Sequence, residues 1–205
     1  MQRVFAKSSA QKGEGHINKR GVIMERTAVV YTSKYGATEK YARWIGEELD
    51  CPVYSLDNFS KAQLDNYDNI IYGGGVQAGG IKGFDKFKKW IKPLIGQPGK
   101  KIVVFAVGLN VDNTDGRMQL RDINFDKGEF RQLTCYYMGG AYDPAKIKGI
   151  DKALMGMVRK MLSDKGLNMS DEERTLLKRV EEGCDLVSRE QIEPVVKEFM
   201  QQAEE

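Results

Sequence analysis

The chain has 205 residues, 41% hydrophobic and 30% charged, with 32 Lys/Arg against 29 Asp/Glu for a formal charge of +3. Those values suit one globular domain with a substantial core, and the longest apolar runs fall far short of the roughly 18 residues that span a bilayer. A single histidine, His16, and three scattered cysteines, Cys51, Cys135 and Cys184, leave nothing for a histidine-based triad, a His-ligated zinc site or a disulfide framework, and they fit a reducing cytoplasm.

Residues 1–23 read as a flexible leader foreign to the fold and not necessarily native. They are polar and aperiodic, and they carry Arg3, Lys7, Lys12, Lys19 and Arg20 against Glu14 alone. They lack the apolar core of a secretory signal. Without them 27 basic residues face 28 acidic ones, so the charge falls to −1 and no nucleic-acid footprint remains. Met24 is the expected start of the folded domain, 24–205.

The first strand, around Val29–Tyr31, ends in Thr32-Ser33-Lys34-Tyr35-Gly36-Ala37-Thr38, and helical periodicity follows from Glu39 to Leu49. A strand feeding a helix through such a turn presents backbone N–H groups at the positive end of the helix dipole, an anion site best suited to phosphate. The hydroxyls of Ser33 and Thr38 can add hydrogen bonds, and Gly36 lets the backbone approach closely. The competing reading is an ordinary turn with a hydroxyl cap.

Further strands are expected at Pro52–Ser55, Asp68–Tyr72, Ile102–Val107 and Leu133–Met138. The third runs into a glycine-rich loop, Gly73–Gly80; the fourth ends at Gly108-Leu109-Asn110 and the fifth at Gly139-Gly140. A helix with Phe84, Phe87, Trp90, Ile91 and Leu94 on one face closes at Gly96-Gln97-Pro98-Gly99. Asp112–Gly116 reads as a turn, because a calcium loop would need a later bidentate Glu. Five short strands alternating with helical segments spell an α/β domain, a doubly wound five-stranded parallel sheet. Ligands of such sheets bind outside the carboxyl ends of the strands. Glycine at four of those five ends points to a planar ligand lying against backbone.

The remaining chain adds C-terminal helices. Ile147, Ile150, Leu154, Met157, Val158 and Met161 mark an apolar helix face, and Lys148, Lys152, Arg159 and Lys160 its other side. Met155, Met157 and Met161 read as core filler and the basic side as solvated; contact with an anionic membrane surface is the alternative. Ser170-Asp171-Glu172-Glu173 is a capping box opening a helix to Glu182. The last helix, near Glu190–Gln202, starts late enough to keep Pro194 in its first turn.

On these residues the chain resembles the flavodoxins. Ser33, Gly36 and Thr38 match their phosphate loop, Ser/Thr-x-Thr-Gly-x-Thr, while Tyr35 replaces the middle threonine and Lys34 offers charge in its place. Gly75, Val76, Gln77, Ala78 and Gly79 fall where that family borders one side of its flavin ring, and Val107, Gly108, Leu109 and Asn110 where it borders the other. The segments Tyr137–Tyr142 and Asp185–Ile192 are similar to the branch that includes quinone-dependent protoporphyrinogen dehydrogenases.

The resemblance implies strand order 2-1-3-4-5 and FMN held by Ser33, Lys34, Tyr35, Gly36, Ala37 and Thr38 with the two ring-bordering loops. It implies no catalytic side chain and no metal. Gln77 stands roughly where flavodoxins often stack an aromatic ring. The flavin face is then open to a substrate, unless Tyr72, Tyr142 or another aromatic supplies the stack. The expected function is an FMN-dependent oxidoreductase of the cytoplasm, with a quinone, porphyrinogen or protein as redox partner and a peripheral contact at the inner membrane face. A soluble electron carrier is the second reading, and a scaffold that has lost its cofactor is the third.

Overall fold

Alternation along the strands decides the two faces of the sheet. In the computed structural model, which describes residues 16–17, 23–24, 26–125 and 128–200, the strands are β1 (Thr27–Thr32), β2 (Val53–Ser55), β3 (Asn69–Gln77), β4 (Lys101–Gly108) and β5 (Thr134–Gly139). They are parallel and ordered β2-β1-β3-β4-β5. Val29, Ile71, Val103, Phe105 and Val107 face one helical layer. Val30, Ile70, Tyr72, Ile102, Val104 and Ala106 face the other. Period-two alternation with both sets apolar requires helices on both sides.

The first layer holds α1 (Ala37–Leu49), whose Tyr41, Ala42, Ile45 and Leu49 are fully buried. The second holds α2 (Phe84–Ile91) and α3 (Thr114–Phe125). There Tyr72 stacks on Phe87 with ring centroids 4.4 Å apart, and Phe84 packs on Phe125 at 5.1 Å. Each fully buried large side chain of this kind contributes about 1.5–3 kcal/mol. Three helices complete the chain: α4 (Gly149–Ser163), α5 (Asp171–Glu182) and α6 (Glu193–Met200). The first two pack on each other, and α6 lies beside α1.

Two local expectations are corrected. The Gly73–Gly80 stretch is not a loop: β3 continues through Gln77, makes a two-residue turn and returns as Gly80–Ile81. Gly73 pairs with Tyr31 and Phe105 within the sheet, and the strand carries glycine there because a Cβ would sit 2.0 Å from the Phe105 ring. The Asp112–Gly116 turn is the start of α3. Asn113 Oδ1 accepts the Gly116 N–H at 2.7 Å, an N-terminal cap readable as Asn three residues before the amide it holds.

The C-terminal expectations fare better. Ser170 and Glu173 form the expected capping box, and Pro194 falls in the first turn of α6. The expected end of that helix at Gln202 lies outside the described residues. So does most of the leader, apart from a short antiparallel ladder pairing His16 with Met24 and Ile17 with Ile23. Among the described residues, no helix is long and apolar enough to cross a membrane.

Candidate functional site

Register brings the carboxyl ends of the strands to one edge: Thr32 pairs with Gly74, Gly75 with Val107, and Gly108 with Gly139. Beyond β1 the chain turns sharply. Ser33 Oγ accepts the Gly36 N–H at 3.1 Å, and Gly36 has φ +93° with open space where a Cβ would stand. The Lys40 N–H reaches back to the Gly36 carbonyl at 2.9 Å. Among the described residues no side chain caps α1, so the amides of Ala37, Thr38 and Glu39 have no intrahelical partner and lie at the positive end of its dipole. Thr38 is buried beside Gly75, whose missing Cβ would lie 3.6 Å from Thr38 Oγ1.

The turn after β3 is strained. Ala78 has φ +49° and Gly79 φ +79°, the paired positive angles of a tight hairpin turn, and the alanine costs about 1 kcal/mol there. Buried Asn124 of α3 fixes the turn: its Nδ2 donates to the Gly79 carbonyl at 2.8 Å and its Oδ1 accepts the Ile81 N–H at 2.9 Å. The end of β4 is fixed as firmly. Gly140 N–H donates to the Gly108 carbonyl at 2.8 Å. From α5, Arg179 Nη1 donates to the Leu109 carbonyl at 2.6 Å, and Nη2 meets Asp112 Oδ2 at 2.5 Å.

These anchors hold the α4–α5 pair over the strand ends, and a cleft of about 220 Å³ lies between. Its floor is the phosphate-type loop and the backbone of β3 and β4; its roof is Ile147, Leu154, Met155 and Val158. Asp151, on the first turn of α4, is only 7% exposed. Its Oδ2 meets Lys34 Nζ at 2.5 Å and accepts the Tyr35 hydroxyl, while Oδ1 accepts Gln77 Nε2 at 2.9 Å. The hydrogen bonds from Lys34 and Tyr35 hold its carboxyl below the usual carboxylate range.

Residues 28–168 match the family model described as Flavodoxin domain. The chain belongs to the flavodoxin domain family.

Solved structures similar to this flavodoxin-domain chain have low sequence identity to it. A flavodoxin WrbA-like protein from Agrobacterium tumefaciens is 18% identical with a TM-score of 0.44, covering 85% of this chain and 99% of that one. A flavodoxin from the domain Archaea is 16% identical with a TM-score of 0.41, covering 76% and 96%. A Fusobacterium nucleatum flavodoxin variant solved with flavin mononucleotide is 19% identical with a TM-score of 0.37, covering 60% and 72%. No curated protein matches the chain in sequence.

The flavodoxin-domain cleft gathers twelve of the fifteen residues singled out in the sequence: Ser33, Lys34, Tyr35, Ala37, Thr38, Gly75, Val76, Gln77, Ala78, Val107, Gly108 and Leu109. Gly36 lies outside its lining, on the side facing Lys40 and Arg43. Gly79 turns toward Ile123. Asn110 lies in a second, polar cleft, where its Oδ1 accepts from Asn113.

Asp151 was missed altogether, because a lone Asp in a helical first turn looks like ordinary dipole complementation. Met155, core filler by its sequence pattern, instead lines the cleft. The apolar face of α4 also divides. Leu154 and Val158 turn inward with Ile147, which precedes the helix, whereas Ile150, Met157 and Met161 are 83%, 62% and 57% exposed, since a 3.6-residue turn carries this second stripe off the first. Tyr72 cannot stack on a ligand: it is fully buried and donates to the Lys82 carbonyl at 2.6 Å. Tyr142 is the aromatic that reaches the cleft from the fifth strand end.

Proposed function

We propose that this chain binds FMN noncovalently in the cleft and acts as an FMN-dependent oxidoreductase. One observation carries the reading. The uncapped first turn of α1 opens on the same cleft as the backbone of Gly75–Ala78 and Val107–Leu109. First-turn amides with no intrahelical partner fit a phosphate group, and strand ends bearing glycine fit a flat ring. The amides of Ala37, Thr38 and Glu39 with the hydroxyls of Ser33 and Thr38 would hold the phosphate. Gly75, Val76, Gln77, Ala78, Val107, Gly108 and Leu109 would border the ring.

When bound, FMN supplies hydride and single-electron transfer, chemistry that no side chain of the cleft provides. The chain's own part is binding, orientation and charge. Backbone N–H groups beside the ring favour its negatively charged form, and each tenfold change in relative affinity for two redox forms shifts a one-electron couple by about 59 mV. The inward face of α4, with Leu154, Met155 and Val158, excludes water from one side of the cleft and offers an apolar wall. That wall suits an apolar organic substrate, a quinone as acceptor with a porphyrinogen as donor, better than the open rim expected of a soluble carrier.

Ile150, Met157 and Met161 are exposed on α4 beside exposed Lys148, Lys152, Arg159 and Lys160. That combination supports the peripheral contact with an anionic membrane surface, where a quinone would be met.

Titration of the purified protein with FMN, followed by flavin fluorescence, tests the reading: quenching that saturates at one equivalent is expected. The loaded protein, reduced anaerobically, should reoxidise rapidly with a water-soluble menaquinone analogue, and protoporphyrinogen should yield fluorescent protoporphyrin. Absence of FMN quenching would overturn the proposal. Binding with exchange only to partner proteins would make the chain a carrier.

A further inference from the structure

The three side-chain contacts of Asp151 join elements that are otherwise separate. Lys34 and Tyr35 belong to the turn before α1, Gln77 to the end of β3, and Asp151 to the first turn of α4. Each of those three partners lines the cleft, and so does Asp151 itself. The main packing partner of α4 is α5, and Gly149, its first residue, and Gly166, beyond its end, both have positive φ with open space where a Cβ would stand. The carboxylate is therefore the polar tie between α4 and the loop at the α1 N-terminus. It is also an anion, held by the cation and the hydroxyl of the very loop built to receive one.

We propose that Asp151 is an internal competitor for this anion site, so that a phosphomonoester seated at the α1 N-terminus draws Lys34 away and releases α4 from the loop. The identity of the physiological ligand rests on the FMN reading above; the latch rests on the contacts of Asp151. A dianion beside Asp151 is repelled, while Lys34 is the shared counter-charge for both. Ligand and latch thus exclude one another by charge. The residue limits affinity for phosphorylated ligands and leaves unphosphorylated ones of the same shape unaffected.

The experiment combines hydrogen exchange across α4 with binding of two flavins that differ only in the phosphate. In the wild type, FMN should speed exchange of the amides of residues 149–155, and riboflavin should not. Asp151→Asn keeps the size and one acceptor oxygen but loses the charge, the second carboxylate oxygen being replaced by an amide donor. It should show the faster exchange without ligand and bind FMN about tenfold more tightly, with riboflavin affinity unchanged. Lys34→Gln should also free α4 but weaken FMN binding, the opposite sign.

Should the two flavins respond equally to Asp151→Asn, or should α4 keep its protection when FMN binds the wild type, the latch is overturned while the FMN reading stands. Should FMN fail to bind either protein while inorganic phosphate still speeds exchange of α4 in the wild type, the flavin reading falls and the latch stands. The wild-type measurements decide the matter even where a variant folds poorly.

Discussion

Tyr41 donates its hydroxyl to the Gly139 carbonyl across 2.8 Å, tying the middle of α1 to the carboxyl end of β5, 98 residues further along the chain. The same oxygen accepts the Ser188 N–H at 3.2 Å. One fully buried phenol thus satisfies a strand end and the segment leading into α6. Burial raises its pKa, so it stays protonated and able to donate. Tyr41→Phe keeps the ring packing and takes the hydroxyl away from a half-buried carbonyl and a half-buried amide. The expected loss is about 1–3 kcal/mol, measured by urea unfolding, with hydrogen exchange rising first around Gly139 and Ser188.

Gly73 and Gly75 lie on the same face of β3, two residues apart, yet only one tolerates a methyl group. At Gly73 a Cβ would fall 2.0 Å from Phe105 Cζ, whereas at Gly75 its nearest neighbour is Thr38 Oγ1 at 3.6 Å, ordinary contact. Gly73→Ala should destabilise by about 1–3 kcal/mol through overpacking. Gly75→Ala should leave thermal stability within about 0.5 kcal/mol but put a methyl on the cleft floor and weaken FMN binding. Thermal melts and flavin titration of the pair separate the roles.

Thr38 tests the proposed phosphate end of the cleft. It is buried, and its backbone N–H lies in the uncapped first turn of α1. Thr38→Val preserves shape and removes only the hydroxyl. FMN affinity should drop by about tenfold, the worth of one charge-assisted hydrogen bond, while riboflavin affinity holds. Equal losses for both flavins would place the hydroxyl's effect elsewhere.

The Arg179–Asp112 pair carries a pH signature. The Arg179 guanidinium holds the Asp112 carboxyl below its ordinary 3.8. A carboxyl whose folded pKa is depressed adds stability that is complete above the unfolded value and is lost as pH falls through the folded one. The pair therefore stabilises the protein at neutral pH, begins to lose that effect below about pH 4 and has lost it once the pH lies below the depressed folded value. Asp112 is half exposed, so the contribution is at most about 1 kcal/mol after solvent screening. Asp112→Asn should lower stability by that amount at pH 7, and the difference from the wild type should shrink as the pH is taken below about 4, as followed by urea unfolding at each pH.

Much of this architecture is written in the chain. Apolar alternation in Val29–Tyr31 and Ile102–Val107 gives buried parallel strands. The Ser33–Thr38 turn gives the uncapped helix start, and Ser170–Glu173 gives a capping box that forms as read. These are local signals, set by periodicity and backbone conformation within a few residues. The extent of β3 was not legible, because glycine reads as loop until Phe105 and Ile81 are seen to occupy the space its missing side chains leave. Nor was the start of α3, where the run of polar residues hid the cap made by Asn113.

What the sequence determined alone was the α/β class, the succession of its five main strands, and the turn that gathers backbone amides at the α1 N-terminus. Only the tertiary structure decided what closes over that turn. Asp151 is 117 residues from Lys34 in the chain, and no periodicity links them. The anchoring of α5 by Arg179 and of β5 by Tyr41 swings α4 across the strand ends. There a carboxylate unremarkable in its own helix meets the cation of a distant loop, because charge pairing depends on distance in space, which local sequence does not encode.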